Sequence, residues 1–361
     1  MKSILLYFNS LKPSGGIERV IVTVANKLCE QYKVTILVKG EPISFYKLDG
    51  RVRLESLGNE LNFNMNSQLS RVFSAMKSVY KNSKSLKLYL KQNNFDYYYL
   101  AHPLNVLEFH FSKGVTTTNT VITEHGASTA YNLIYRKVKS WLYPKAKVYV
   151  VPTTKDTEYY KNLGFPAQYL PHFKSKLKYE KASLSEKIAL NIGRFTDVKQ
   201  QIALLRLWNS LVNVKQIKDW KLFLVGIGEL ENQFEEYIER NNLQNYVFLK
   251  PPKESVEEYY KQASLFLLTS KSEGFGMVLL EAISFGLPCV SYDCPSGPRD
   301  IIKNNENGYL VPPNDEVIFE QMVVNLLNNR ELLEKMGNES LTISNNWNDE
   351  KLLEQWNIIL N

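Results

Sequence analysis

Short apolar runs alternate with amphipathic stretches along most of the chain. SILLYF (residues 3–8) is continuously apolar, as a buried strand is, and GGIERVIVTVANKLCEQY (15–32) then carries apolar residues at helical spacing. KVTILV (33–38), FDYYYLA (95–101), NTVITEHG (119–126) and KVYVVPT (147–153) read as further strands with helical stretches between them. Such alternation predicts an α/β fold around a parallel sheet. The pattern blurs over 164–187, where two prolines and a Lys/Ser-rich run mark a linker. A second series follows: KIALNIGR, WKLFLVGIG, NYVFLKPP, SLFLLTS, LPCVSYD and GYLVPPN are strands separated by helices. Two doubly wound domains in tandem are therefore expected to face a central cleft at the carboxyl ends of both sheets.

The length of 361 residues suits two domains better than one core. No stretch reaches the ~20 apolar residues of a membrane span. The opening MKSILLYFN lacks the long apolar region of a signal peptide and reads as a first strand. Three cysteines, Cys29, Cys289 and Cys294, have no zinc-ligand spacing and do not make a disulfide framework, which fits a reducing cytoplasm. The net charge of +7 is unevenly spread. Residues 1–172 hold 23 Lys and Arg against 11 Asp and Glu, whereas the remainder holds 21 against 26. A basic first half points to a polyanionic surface.

Chemistry concentrates at four places. In SEGFGMVLLEAISFGLPCV, from Ser272, two carboxylates, Glu273 and Glu281, flank a helix start after the strand SLFLLTS. The backbone N–H groups near Gly276, Met277 and Val278 lie at the positive end of that helix and suit a phosphate. Glu281 can turn toward a ligand's hydroxyls, and Glu273 precedes the helix near whatever the phosphates carry. NIGRFTDVK sets Arg194 and Lys199 just past the first strand of the second domain, where two cations can stabilise a departing diphosphate. Gly15 and Gly16 form a Gly-rich turn into the first helix. That turn is not the G-x-G-x-x-G fingerprint, which disfavours a nicotinamide cofactor. His125, in TEHG, ends a strand of the first domain; His102 and His110 are weaker candidates, and His172 falls in the linker.

Together these residues resemble the retaining GT-B glycosyltransferases of family four, the group 1 glycosyltransferases. Glu273 and Glu281 match the E-x7-E element, and Gly193-Arg194 with Lys199 match G-R-x4-K. LVGIGEL and NGYLVPPND also match. The resemblance implies two Rossmann-like domains: an acceptor domain over 1–170, a nucleotide-sugar domain over 171–345, and a terminal helix over 346–361 packing back on the first. It implies a nucleotide-sugar donor, retention at the anomeric carbon by front-face attack, and no obligatory metal or other cofactor. Glu281 would bind ribose and Glu273 the transferred sugar. Arg194 and Lys199 would neutralise the diphosphate, with Gly15, Gly16, Gly276, Met277 and Val278 completing its cradle. His125 would lie beside the sugar.

Two departures stand out: YLPHF replaces a Pro-Asn-Pro-like turn, and Gln200 stands where glycine or asparagine is common. The loop DCPSGPRDII resembles that of bacterial members using UDP-sugars, hexoses or N-acetylhexosamines, in surface-polysaccharide assembly. The acceptor implied is a glycan or polyprenyl-linked glycan. The basic runs 71–91 and 135–147, interleaved with apolar residues including Trp141 and Tyr143, suit an anionic membrane surface and peripheral attachment on the inner face of the cell membrane. No nucleic-acid-binding motif accompanies the charge. The alternative is a non-catalytic GT-B subunit partnering an active transferase; the presence of Arg194, Lys199, Glu273 and Glu281 argues against it.

Overall fold

Each of the apolar runs becomes a strand in the computed structural model, which describes residues 1–59, 68–252 and 256–361. The chain divides into two units, Met1–Phe173 with Asp349–Asn361, and Lys174–Asn348. The first holds β1 (Ser3–Phe8), β2 (Lys33–Val38), β3 (Arg53–Ser56), β4 (Tyr97–Leu100), β5 (Thr120–Thr123), β6 (Val148–Val151) and β7 (Ala167–Tyr169). They pair in parallel in the order β3-β2-β1-β4-β5-β6-β7. Parallel strands need crossovers, so helices cover both faces and the inner strands are apolar throughout. Central β1 and β4 are buried along nearly their whole length.

The second unit repeats the plan with β8 (Ile188–Ile192), β9 (Lys221–Val225), β10 (Val247–Lys250), β11 (Leu265–Leu268), β12 (Cys289–Tyr292) and β13 (Gly308–Val311), in the order β10-β9-β8-β11-β12-β13. The order reverses between β8 and β11, which are adjacent and parallel. In doubly wound sheets that switch point is where loops part and ligands bind.

Two strands, β3 and β7, have no counterpart in the apolar pattern. Both are short edge strands: β3 (RLES) is half-exposed and two positions of β7 are exposed. β7 lies inside the stretch read as a linker.

The helix Asp349–Leu360 belongs to the first unit although the whole second unit precedes it. Trp356 packs on Tyr99 at 5.9 Å between ring centroids. Lys27 pairs with Asp349 at 2.9 Å, and the Tyr32 hydroxyl donates to Asn357 at 3.0 Å. Leu352, Trp356, Ile359 and Leu360 are buried. Trp356→Ala should therefore destabilise the first unit by about 3–5 kcal/mol, seen as a lower denaturant midpoint for its unfolding transition.

Candidate active site

The two loops that carry the second unit's charged residues leave the carboxyl ends of β8 and β11, at the switch point. The loop after β8 runs from Gly193 to Gln200, where helix α6 (Gln201–Asn209) begins. The loop after β11 runs from Thr269 to Gly276, where helix α9 (Met277–Ser284) begins. Side chains and backbone stitch them together. The Thr269 hydroxyl donates to the Lys199 and Gln200 carbonyls at 3.2 and 3.0 Å, and the Lys271 N–H donates to the Val198 carbonyl at 2.8 Å. Below them the buried Asn191 side chain donates to the Leu267 carbonyl at 2.8 Å, tying β8 to β11.

This stitching brings Lys199 and Glu273 together. The Lys199 Nζ lies 2.6 Å from Glu273 Oε1, and the buried Ser270 hydroxyl donates to the same oxygen at 2.6 Å. Glu273 is 9% exposed and the Lys199 side chain 27%, so the pair sits at the floor of the loops with one open side. Arg194 is exposed and, among the described residues, forms no ion pair. Gly276 holds φ at +91°, a left-handed conformation that glycine adopts without strain, and so turns the loop into α9. Met277 and Val278 are the first two helical residues, and their N–H groups have no intrahelical acceptor.

Glu281 is fully buried. Its Oε1 accepts from the Ser175 hydroxyl at 2.5 Å and its Oε2 from the Tyr260 hydroxyl at 2.8 Å. Neither partner was marked in the sequence: Ser175 sat in the apparent linker, and Tyr260 resembled any core tyrosine.

Gln200 adopts φ +49°, the left-handed region. That conformation explains why glycine or asparagine is common there, since a longer side chain is strained in it. The Gln200 side chain donates to Asn314 at 3.1 Å.

In the first unit, Gly15 caps helix α1 (Gly16–Leu28), and Glu18 folds back over it. A Cβ on residue 15 would lie 2.1 Å from Glu18 Oε2, a contact that a shift of the flexible Glu18 side chain would relieve. The carboxylate of Glu18 thus complements the helix dipole at this end. Gly16 faces open space.

His125 follows β5. Its Nε2 lies 2.8 Å from the Thr123 hydroxyl, and its buried Nδ1 has no hydrogen-bond partner. Burial pushes the imidazole down to about 4, opposed only by the Glu124 charge, so it is neutral near pH 7. His172, read as a linker residue, stacks on His125 at 5.5 Å, and burial lowers its pKa strongly. His102 instead caps a helix, its Nδ1 accepting from the Leu104 N–H at 3.2 Å.

The basic surface is narrower than the sequence suggested. Lys139 and Tyr143 are buried, at 3% and 2% exposure, and so leave it. In helix α2 (Gln68–Gln92), Val79, Leu86 and Leu90 point into the core, while Met76, Tyr80 and Leu88 stand exposed among Lys77, Lys81, Lys84 and Lys87. The side chains of Arg71, Val72 and Phe73 lie outside the described residues. Leu133, Ile134 and Trp141 are exposed on helix α4 (Leu133–Leu142), with Lys145 over the Trp141 ring at 5.1 Å. Among the described residues, no helix is long and apolar enough to cross a membrane. No group of three or more His, Cys, Asp or Glu among them could hold a metal ion.

Comparison with known proteins agrees with this geometry. The family model described as "Glycosyl transferases group 1" matches residues 174–341, and "Glycosyltransferase Family 4" matches 14–171. The chain belongs to the group 1 glycosyltransferases. It is 27% identical over 374 residues to the amylovoran biosynthesis glycosyltransferase AmsD of Erwinia amylovora, covering 100% of both chains. It is 26% identical over 352 residues to an α-1,4-N-acetyl-D-galactosaminyltransferase of Campylobacter jejuni whose name specifies a diNAcBac-PP-undecaprenol-linked substrate, covering 95% of this chain and 94% of that one. The fold is that of S. aureus TarM, solved with fondaparinux, α-GlcNAc-glycerol and UDP, at a TM-score of 0.83, 16% identity and full coverage of both chains. The enzyme is thus a glycosyltransferase of GT-B fold.

Gln200→Gly should raise stability by about 1 kcal/mol, because relief of the left-handed strain outweighs loss of one exposed hydrogen bond. Denaturant titration of the second unit checks this.

Proposed function

We propose that the enzyme transfers a hexose or N-acetylhexosamine from a UDP-sugar, with retention, to a glycan or polyprenyl-linked glycan during bacterial surface-polysaccharide assembly. The observation that carries this reading is the Lys199–Glu273 pair on the loops that lead into α6 and α9, at the β8/β11 switch point. The names of the Erwinia and Campylobacter relatives and the UDP bound to TarM support the substrate classes.

In this reading the diphosphate takes Lys199, Arg194 and the N–H groups of Met277 and Val278. Negative charge grows on the diphosphate as its bond to the sugar breaks, and these fixed donors stabilise it without reorganising. Lys199 exchanges Glu273 for phosphate, and Glu273 is freed to accept from the sugar hydroxyls. Glu281 binds the ribose hydroxyls, as the resemblance implies. Gly15 and Gly16 serve the phosphates and His125 the sugar, as the resemblance implies. Glu18, over Gly15, is an anion that a phosphate there would have to displace, so α9 supplies the stronger phosphate site. The departing phosphate oxygen acts as base for front-face attack, and no metal or other cofactor is required.

Differential scanning against UDP-, GDP- and ADP-sugars should show the largest rise in melting temperature with UDP-sugars, since a bound donor stabilises by mass action. Lys199→Ala and Glu273→Gln should each lower kcat by about 100-fold or more with the protein still folded. Full turnover by both would refute the assignment.

We also propose peripheral docking on anionic lipid through the exposed Lys and aromatic residues of α2 and α4. Flotation with anionic vesicles should recover the enzyme, and neutral vesicles should not. Lys77/Lys81/Lys84→Glu should abolish recovery, and indifference to lipid charge would discard the idea.

A further inference from the structure

We propose that Glu124 is a positioning residue for transfer: its carboxylate builds the turn that presents His125. The inference rests on the reading of His125 as a residue that serves the sugar. Glu124 is the last residue of its segment on the sheet ladder, where its N–H donates to the Val150 carbonyl at 2.9 Å. Beyond it the chain leaves the ladder, and the next two N–H groups need another acceptor. Glu124 supplies it from its own side chain. Oε1 accepts from the His125 N–H at 2.8 Å and from the Gly126 N–H at 3.0 Å.

The carboxylate is itself held from four directions. Tyr131, from the segment just past the turn, donates to Oε1. Lys139 of α4 and Tyr149 of β6 contact Oε2, and the Tyr160 hydroxyl of the following helix donates to it at 2.9 Å. Lys139 also donates to the Tyr160 hydroxyl at 2.6 Å. Glu124 is 2% exposed and Lys139 is 3% exposed. Burial alone would raise the carboxyl, but the Lys139 charge and the hydrogen bonds outweigh it and hold its pKa at about 2. Burial also lowers the Lys139 pKa, against the opposing Glu124 charge.

A buried ion pair is weak evidence for stability, because the desolvation of two charges offsets most of their attraction. What this pair does provide is direction. Six donors converge on one carboxylate, and the turn bearing His125 has no freedom to rotate its two N–H groups away. The imidazole is thereby left with Nε2 on Thr123 and Nδ1 unpartnered. Small displacements of a group beside a reacting centre cost rate out of proportion to their size. A residue fixing that turn therefore acts on kcat through His125, without touching the sugar.

The test compares two double variants that both remove the buried charges. Glu124→Gln/Lys139→Met keeps a carbonyl oxygen for the two N–H groups; Glu124→Leu/Lys139→Met does not. UDP release is measured from UDP-glucose, UDP-galactose, UDP-N-acetylglucosamine and UDP-N-acetylgalactosamine. The Gln variant should retain kcat within about threefold, and the Leu variant should lose about 100-fold in kcat with little change in donor KM. In a His125→Ala background, the Leu variant should cause no further loss, because residues acting as one unit are not additive. Equal behaviour of the two double variants, or an undiminished further loss in that background, would overturn the inference. Wild-type kcat in His125→Ala alone would instead refute the reading of His125, and the inference would fall with it. If the Leu variant does not fold, amide exchange in the wild-type protein decides. The His125 and Gly126 amides should be strongly protected, and exchange at the rate of an exposed loop would overturn the inference.

Discussion

All the strand pairings in both sheets are parallel, and that constraint organises the molecule. A parallel pair cannot be closed by a tight turn, so crossovers join the successive strands within each sheet, and the loops after the strands lie on the same edge of that sheet. In the second unit the crossovers leave in opposite directions from β8 and β11, and the loops they begin become neighbours. Lys199 and Glu273, 74 residues apart, meet for this reason. No local sequence preference places them together; the topology does.

The apolar runs made the inner strands legible because a strand buried on both faces must be apolar along its length. The edge strands were not legible for the complementary reason. RLES and AQY bury little, and nothing in their composition separates them from loop. The same limit applied to the site. Glu273, Lys199 and the start of α9 could be read from spacing and family resemblance, because each stands beside a strand end. Ser175 and Tyr260 could not, since their role depends on which core position Glu281 comes to face. Tyr143 and Lys139 were placed on the surface because a helical run of basic and aromatic residues looks the same whether one of its lysines points inward or not. Glu124 gave a faint signal: an acid at the end of a buried strand needs a partner, and Lys139 is the lysine that leaves the basic face to meet it. Gln200 shows the reverse case, where a departure from the family pattern has a backbone explanation and no consequence for any contact assigned to the donor.

The two units use charge differently. In the second, the ion pair at the switch point is partly open, and its members can change partners at modest cost. In the first, Glu124 with Lys139, and likewise Glu108 with Lys39 at 2.8 Å, are closed off from water. Tyr7 and Asn82 complete the hydrogen bonding of Glu108, as tyrosines do for Glu124. Buried carboxylates so fully satisfied cannot rearrange for a ligand, and rigidity is what they contribute.

The helix Asp349–Leu360 returns to the unit in which the chain began. During synthesis, the first unit therefore emerges from the ribosome without one of its own faces, and Tyr99 and Tyr32 wait for partners more than two hundred residues away. The second unit is translated whole before the first receives this helix. The order of translation and the order of completion are thus inverted, and the nascent first unit is the part of the chain that most needs shielding from premature association.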